Sequence, residues 1–168
     1  DCDSSSADMC TGNSLTKIWS CQFPQELVLF YSAFTQLCGF KVNSGENKLM
    51  GIAPYGEPKY LATILDKRLV PKAAPEFFDL DLTYFEFLKG ERMISDKLLA
   101  LFGLEGIPKE GKTLKVHLDI AASTQQALEH ICATLISSLM QQTGQKNLCL
   151  AGGVGLNCVN NSKIMALD

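Results

Sequence analysis

Residues 118–144, LDIAASTQQALEHICATLISSLMQQTG, are followed after Gln145 and Lys146 by a largely apolar pentapeptide, NLCLA (147–151), and by a turn holding Gly152, Gly153 and Gly155. In the first stretch Ile120, Leu128, Cys132, Leu135 and Leu139 recur at helical spacing and mark one apolar face. Asp119 is expected to cap the first amides of this helix, and Gly144 to close it. NLCLA reads as a strand, and a further helix is expected to begin near residues 157–160. Helix, strand, glycine turn and helix in this order belong to α/β architecture.

A strand that feeds a glycine turn and then a helix points free backbone N–H groups and a positive helix end outward, which suits a phosphate. The same residues would also serve as a tight strand-to-helix turn with no ligand. At this turn a P-loop is excluded, because no GKS or GKT triplet follows its glycines to place a Lys on terminal phosphates; the chain's GKT, at 111–113, follows an expected helix and not a strand. A dinucleotide pattern through Gly153 and Gly155 would put Cys158 where close helix packing calls for Gly or Ala. Asn157 can cap the following helix or reach a ligand hydroxyl with its side-chain amide.

Upstream, LTKIWSC (15–21) alternates as a strand does. Pro24 suits a first helical turn, and Leu27, Phe30, Tyr31, Phe34 and Leu37 then repeat at spacings of three and four up to Gly39. A short helix is expected over 48–52, inside a structured loop that runs to Tyr60. Helices are expected around YLATILDKRL and SDKLLALFG, and a strand in EFFDLDLTYFEFL (76–88). The first fourteen residues are rich in Ser and Asp, and are expected to be a flexible segment.

With 168 residues, 46% of them hydrophobic, the chain has material for one core. A net charge of −3 and no basic cluster argue against nucleic acid as a partner. No apolar run reaches the length of a membrane span, so a cytoplasmic protein without a membrane partner is expected. The cysteines at 2, 10, 21, 38, 132, 149 and 158 form no CxxC, which supports neither a disulfide framework nor a zinc site. Cys132, Cys149 and Cys158 are expected to be reduced core thiols. His117 and His130 stand apart and are expected at the surface or at a helix cap. No Ser-His-Asp or Cys-His constellation is visible, so no catalytic residue is assigned. The chain opens on a residue other than Met and stops soon after NNSK, and is expected to be a piece of a longer protein.

Two stretches carry a family resemblance. ENKLMGIAPYGEPKY (46–60) resembles the E-x-K-x-MG-L-A-PYG signature of the carbamoyltransferases of the nodulation protein U and antibiotic-tailoring type. LAGGVGLNCVNN (150–161) is similar to their GGVALN-C-x-x-N segment. FYSAFTQLCGF and DIAASTQQALEHI resemble the helices that precede the two motifs, so the resemblance covers 16–168 and is weakest over 66–112.

The resemblance implies an α/β fold of the actin, Hsp70 and sugar-kinase type, a mixed sheet with flanking helices. Residues 15–168 would form part of a universal-protein-like domain, whose remaining parts and smaller companion domain lie outside the chain. It also implies an enzyme that takes a carbamoyl group from carbamoyl phosphate, activates it with ATP as carbamoyl adenylate and passes it to the hydroxyl of a small-molecule or sugar acceptor. Carried over residue by residue, Gly152, Gly153 and Asn157 would meet the nucleotide, with Glu46 and Lys48 contributing from the first motif. Gly51, Pro54, Tyr55, Gly56 and Gly155 would shape the loops beside it. Gly155 replaces the usual Ala, and Asn47 an aromatic. The family's metal-binding histidine motif has no counterpart here, so the ligands of a divalent iron or magnesium ion are expected elsewhere in the full-length enzyme. The fragment alone is expected to be inactive, and the enzyme is a possible homodimer. Alternatives from the same fold are a tRNA threonylcarbamoyl-transfer enzyme, a sugar kinase, and a non-catalytic nucleotide-binding or interaction domain.

Overall fold

The computed structural model describes residues 3–66 and 79–167. The chain first doubles back at Gly12, whose φ of +60° lies in the left-handed region that glycine adopts without strain. Strands β1 (Asp3–Thr11) and β2 (Ser14–Gln22) pair antiparallel on either side of this turn. β1 thus forms where composition suggested a flexible segment. Its backbone groups are satisfied by β2, and it is held further by the Lys17–Asp3 ion pair and by Ser4, whose hydroxyl donates to the Cys21 carbonyl at 3.0 Å. This hairpin is the sheet of the described residues, so the mixed sheet expected from the resemblance is replaced by two antiparallel strands.

Helix α1 (Leu27–Leu37) buries Leu27, Phe30, Tyr31, Phe34 and Leu37, as the spacing predicts. Pro24 lies before the helix rather than in its first turn. Gly39, at φ +85°, closes α1 while the Phe40 amide donates back to the Thr35 carbonyl at 3.0 Å. Helix α2 (Glu46–Ile52) continues into a 3-10 turn at Ala53–Tyr55, and α3 (Leu61–Asp66) follows.

In place of the strand expected over 76–88, the described part holds a 3-10 turn at Leu82–Tyr84 and a single bridge from Phe85 to Ile94; residues 76–78 lie outside the described residues. The predicted helix after it is α4 (Asp96–Leu101), capped by the Ser95 hydroxyl, which accepts from the Leu98 amide. Phe102 packs edge-on against Phe34 and Tyr60, with ring centroids 5.9 and 5.2 Å apart. The Met93 amide donates to the Gln36 side chain at 2.8 Å. Residues 79–104 therefore share the core of α1 and α3.

The spine is α5 (Lys115–Thr143), on which α1, α2, α3, the 53–55 turn and helix α6 (Cys158–Ile164) all pack. It begins before Asp119, so Asp119 is no cap. Instead the Leu114 amide donates to Nδ1 of buried His117 at 3.0 Å, and burial holds that imidazole's pKa below its ordinary value. His130 is exposed. Gly144, at φ +66°, ends α5 as predicted.

After α5, residues 147–151 pair with no strand among the described residues, and Leu148 and Leu150 stay 46% and 45% exposed. A strand needs a neighbour for its backbone groups, which apolar composition alone does not supply. Cys149 and Cys158 are likewise exposed instead of core, whereas Cys132 is buried and its thiol is pushed up to about 11. No disulfide forms among the described cysteines.

The loop after α2 is seated on α5 through its backbone. A Cβ on Gly56 would lie 1.9 Å from the Leu118 carbonyl oxygen, so only glycine permits this approach. The Glu57 amide donates to Asp119 Oδ1 at 2.8 Å, and the Tyr60 amide to Ser123 Oγ at 3.0 Å. Lys115 and Lys59 flank the Asp119 carboxylate at 2.8 and 3.3 Å.

Two predictions follow from this seat. Gly56→Ala is expected to lose about 1–3 kcal/mol of stability through overpacking, read by denaturant unfolding of the full-length protein. Lys115 first, then the Glu57 amide, holds the Asp119 pKa down at about 2, against 3.8 for the free side chain. A carboxylate with a depressed pKa stabilises the fold above its unfolded value and loses that contribution as pH falls through its folded value. Stability should therefore decline between about pH 4 and 2, and Asp119→Asn should flatten that decline in acid titrations followed by near-UV circular dichroism.

Candidate functional site

The two motifs, about a hundred residues apart in sequence, meet at one open cleft. Its volume is ≈ 290 Å³. Met50, Ala53, Pro54, Gly56 and Pro58 come from the first motif, Gln125, Gln126 and Glu129 from α5, and Val159 and Lys163 from α6. The sulfurs of Met50 and Cys158 lie 3.9 Å apart, a direct contact between the motifs.

Gln125 joins the cleft to the glycine turn. Its carboxamide faces that of Asn157 in a reciprocal pair: Gln125 Nε2 donates to Asn157 Oδ1 at 3.1 Å, and Asn157 Nδ2 donates to Gln125 Oε1 at 3.0 Å. The remaining capacity of Gln125 is also used, since Tyr31 Oη donates to Oε1 at 2.9 Å and Nε2 donates to Glu129 Oε1 at 3.0 Å. Asn157 Oδ1 additionally accepts from the Asn160 amide at 2.9 Å and so caps α6. Both side chains are buried. Burial pushes the Tyr31 phenol pKa well above its ordinary value, so Tyr31 stays a neutral donor.

The turn that precedes Asn157 is open at Gly152. Gly152 has φ +88° and nothing within 4 Å of where a Cβ would stand. A Cβ on Gly153 would meet Val28 at 3.0 Å, which brings the turn against the start of α1. The amides of Gly152 and Gly153 donate to no group among the described residues. A 3-10 turn at Val154–Leu156 contains Gly155, whose carbonyl accepts from Asn161 Nδ2 at 2.7 Å. Free turn amides of this kind can receive an anion.

The acidic and basic positions of the first motif have partners of their own. Glu46 Oε1 accepts from Ser32 Oγ at 2.7 Å and from the Asn43 amide at 2.9 Å, while Lys48 pairs with Glu110 near the surface. Neither partner set belongs to the glycine turn. Gly51 is exposed with open space around it, and Tyr55, between two cleft-lining residues, is 74% exposed.

Sequence reasoning did not single out Tyr31, Gln125, Glu129 or Lys163. The signal for Gln125 was present: Ser123, Thr124 and Gln125 interrupt the apolar half of α5, and all three are buried. Tyr31 was hidden by its place on the apolar stripe of α1. Among the described residues no three His, Cys, Asp or Glu side chains converge as metal ligands do. No described helix is long and apolar enough to cross a membrane.

Comparison with known proteins supports the family resemblance that the two motifs carry. The family described as carbamoyltransferase N-terminus matches residues 3–167. An uncharacterized protein, sll1178, of Synechocystis sp. (strain ATCC 27184 / PCC 6803 / Kazusa) is 47% identical over 154 residues, covering 92% of this chain and 25% of that protein. Nodulation protein NolO of Bradyrhizobium diazoefficiens is 32% identical over 149 residues, covering 85% of this chain and 24% of its own length. Nodulation protein NolNO of Sinorhizobium fredii is 35% identical over 124 residues, covering 71% of this chain and 16% of its own length. The chain thus spans a quarter or less of these relatives. Both motifs lie within the matched region, and the chain belongs to the carbamoyltransferase N-terminus family.

Proposed function

We propose that this chain supplies part of an ATP-dependent O-carbamoyltransferase. In this reading carbamoyl phosphate is hydrolysed to carbamate and inorganic phosphate, a carbamate oxygen attacks the α-phosphorus of ATP to form carbamoyl adenylate with release of pyrophosphate, and the hydroxyl of an acceptor attacks the carbonyl, losing its proton and releasing AMP. The observation that carries the reading is the convergence of the two family motifs on one cleft, beside a glycine turn whose amides are unbonded among the described residues.

The chemistry asks mainly for positioning and for stabilisation of phosphate oxygens, and less for a side-chain nucleophile. Gly152 and Gly153 fit that role through their free amides, and the absence of side chains lets a phosphate come close. Asn157 contributes by holding the turn: its amide is engaged with Gln125 and α6, so it fixes where the turn amides point. Glu46 and Lys48 belong to the reading as support of the first motif, with Gly56 seating the loop and Pro54 presenting the cleft wall. The universal-protein-like fold, the companion domain and the metal belong to the proposal for the full-length enzyme.

The test is made on the full-length protein, incubated with ATP and carbamoyl phosphate without acceptor and examined by mass spectrometry. Carbamoyl adenylate and pyrophosphate are expected, with a yield reduced at least tenfold in Asn157→Ala as the turn loses its anchor. Folded, metal-loaded protein that forms neither product would overturn the reading.

A further inference from the structure

We propose that Glu129 is a positioning residue: its carboxylate fixes which way round the buried Gln125–Asn157 pair stands, and through that pair it holds the start of α6 and the glycine turn before it. The orientation of the pair follows from its hydrogen bonds; what that orientation does for a nucleotide rests on the carbamoyl-transfer reading.

Two carboxamides in reciprocal contact satisfy each other equally well in two orientations, because turning both over exchanges nitrogen for oxygen on each and still leaves two N–H···O bonds. The choice therefore falls to the groups around them. Tyr31 Oη donates to Gln125 Oε1 at 2.9 Å, but a phenol can accept as well as donate and does not decide. Two other neighbours do. The Asn160 backbone amide, 2.9 Å from Asn157 Oδ1, can only donate, and the Glu129 carboxylate, whose Oε1 lies 3.0 Å from Gln125 Nε2, has no hydrogen to give. With both carboxamides reversed, Glu129 would face an oxygen and the Asn160 amide would face an NH2 group, and α6 would lose its cap.

The two deciding groups belong to different helices. Glu129 stands four residues after Gln125 on α5, so the helix itself keeps its carboxylate beside the carboxamide, whereas the Asn160 amide belongs to the first turn of α6. Glu129 is half-buried, and no cation among the described residues comes within 4.0 Å of it as an ion-pair partner, so no ion pair draws it away from Gln125. α5 thus dictates the orientation that α6 needs for its cap.

The test compares Glu129→Gln, Glu129→Met and Glu129→Lys in the full-length protein with two readouts: hydrogen exchange over residues 157–164 by mass spectrometry, and ATP binding by calorimetry. Methionine keeps a long stem and removes the acceptor, while lysine offers only donors. Exchange should quicken about threefold in Glu129→Met and about tenfold in Glu129→Lys, and ATP binding should weaken in the same order. Glu129→Gln keeps an acceptor oxygen and should rescue both readouts to within about twofold of wild type. A side chain that served only as packing would give three variants alike. Lysine no more disruptive than methionine, glutamine as disruptive as lysine, or exchange unmoved by all three substitutions would overturn the proposal. Should the lysine variant not fold, faster exchange in Glu129→Met than in Glu129→Gln upholds it, and equal exchange overturns it. If exchange follows the substitutions while the wild-type protein binds no ATP, the role of Glu129 stands and the carbamoyl-transfer reading falls.

Discussion

The site depends on two side-chain amides facing each other inside the protein. Gln125 and Asn157 are buried, and each can avoid a desolvation cost only if its donors and acceptors find partners. Gln125 achieves this completely, with Tyr31, Glu129 and Asn157 around it. The consequence reaches beyond stability. α1, α5 and α6 are tied at one point, a few residues after the glycine turn, and the cleft takes one of its walls from the same carboxamide. A hydrophobic contact at this place would tolerate sliding, whereas a saturated amide network admits one arrangement.

Close backbone approach is the second constraint. The APYG loop could lie elsewhere if Gly56 carried a side chain, but with glycine it rests on the Leu118 carbonyl, and Asp119 and Ser123 take up the next amides. Loop and helix then act as one wall of the cleft. The small and polar residues at the start of α5 serve this contact, while its later turns carry a narrower apolar stripe through Ile131, Cys132 and Ile136.

Much of this was legible in the sequence. The stripe of α1, the glycine stops at Gly39 and Gly144, and the Asn157 start of α6 all follow from local periodicity and capping, which short stretches of chain encode; of the α5 stripe Ile120, Leu128 and Cys132 are buried, while Leu135 and Leu139 are half-buried and Ile131 and Ile136 take buried places. Elements that depend on distant partners were read less well. β1 is polar and looked like loop, because its hold comes from pairing with β2; NLCLA looked like strand because apolar content says nothing about whether a neighbour is present. Asp119 was read as a cap from its position alone, while its role comes from residues about sixty positions upstream. The partners of Glu46 and Lys48 could not be foreseen for the same reason. Family membership was legible through two motifs that the fold brings together.

The most direct measurement is a double-mutant cycle on Gln125→Ala and Asn157→Ala in the full-length protein, read by both denaturant unfolding and ATP binding. A buried reciprocal pair that positions the glycine turn should give a coupling of about 0.5–3 kcal/mol in stability, with either single substitution weakening ATP binding nearly as much as both together. Strictly additive stabilities, or ATP binding indifferent to both substitutions, would contradict the claim that this pair builds the site.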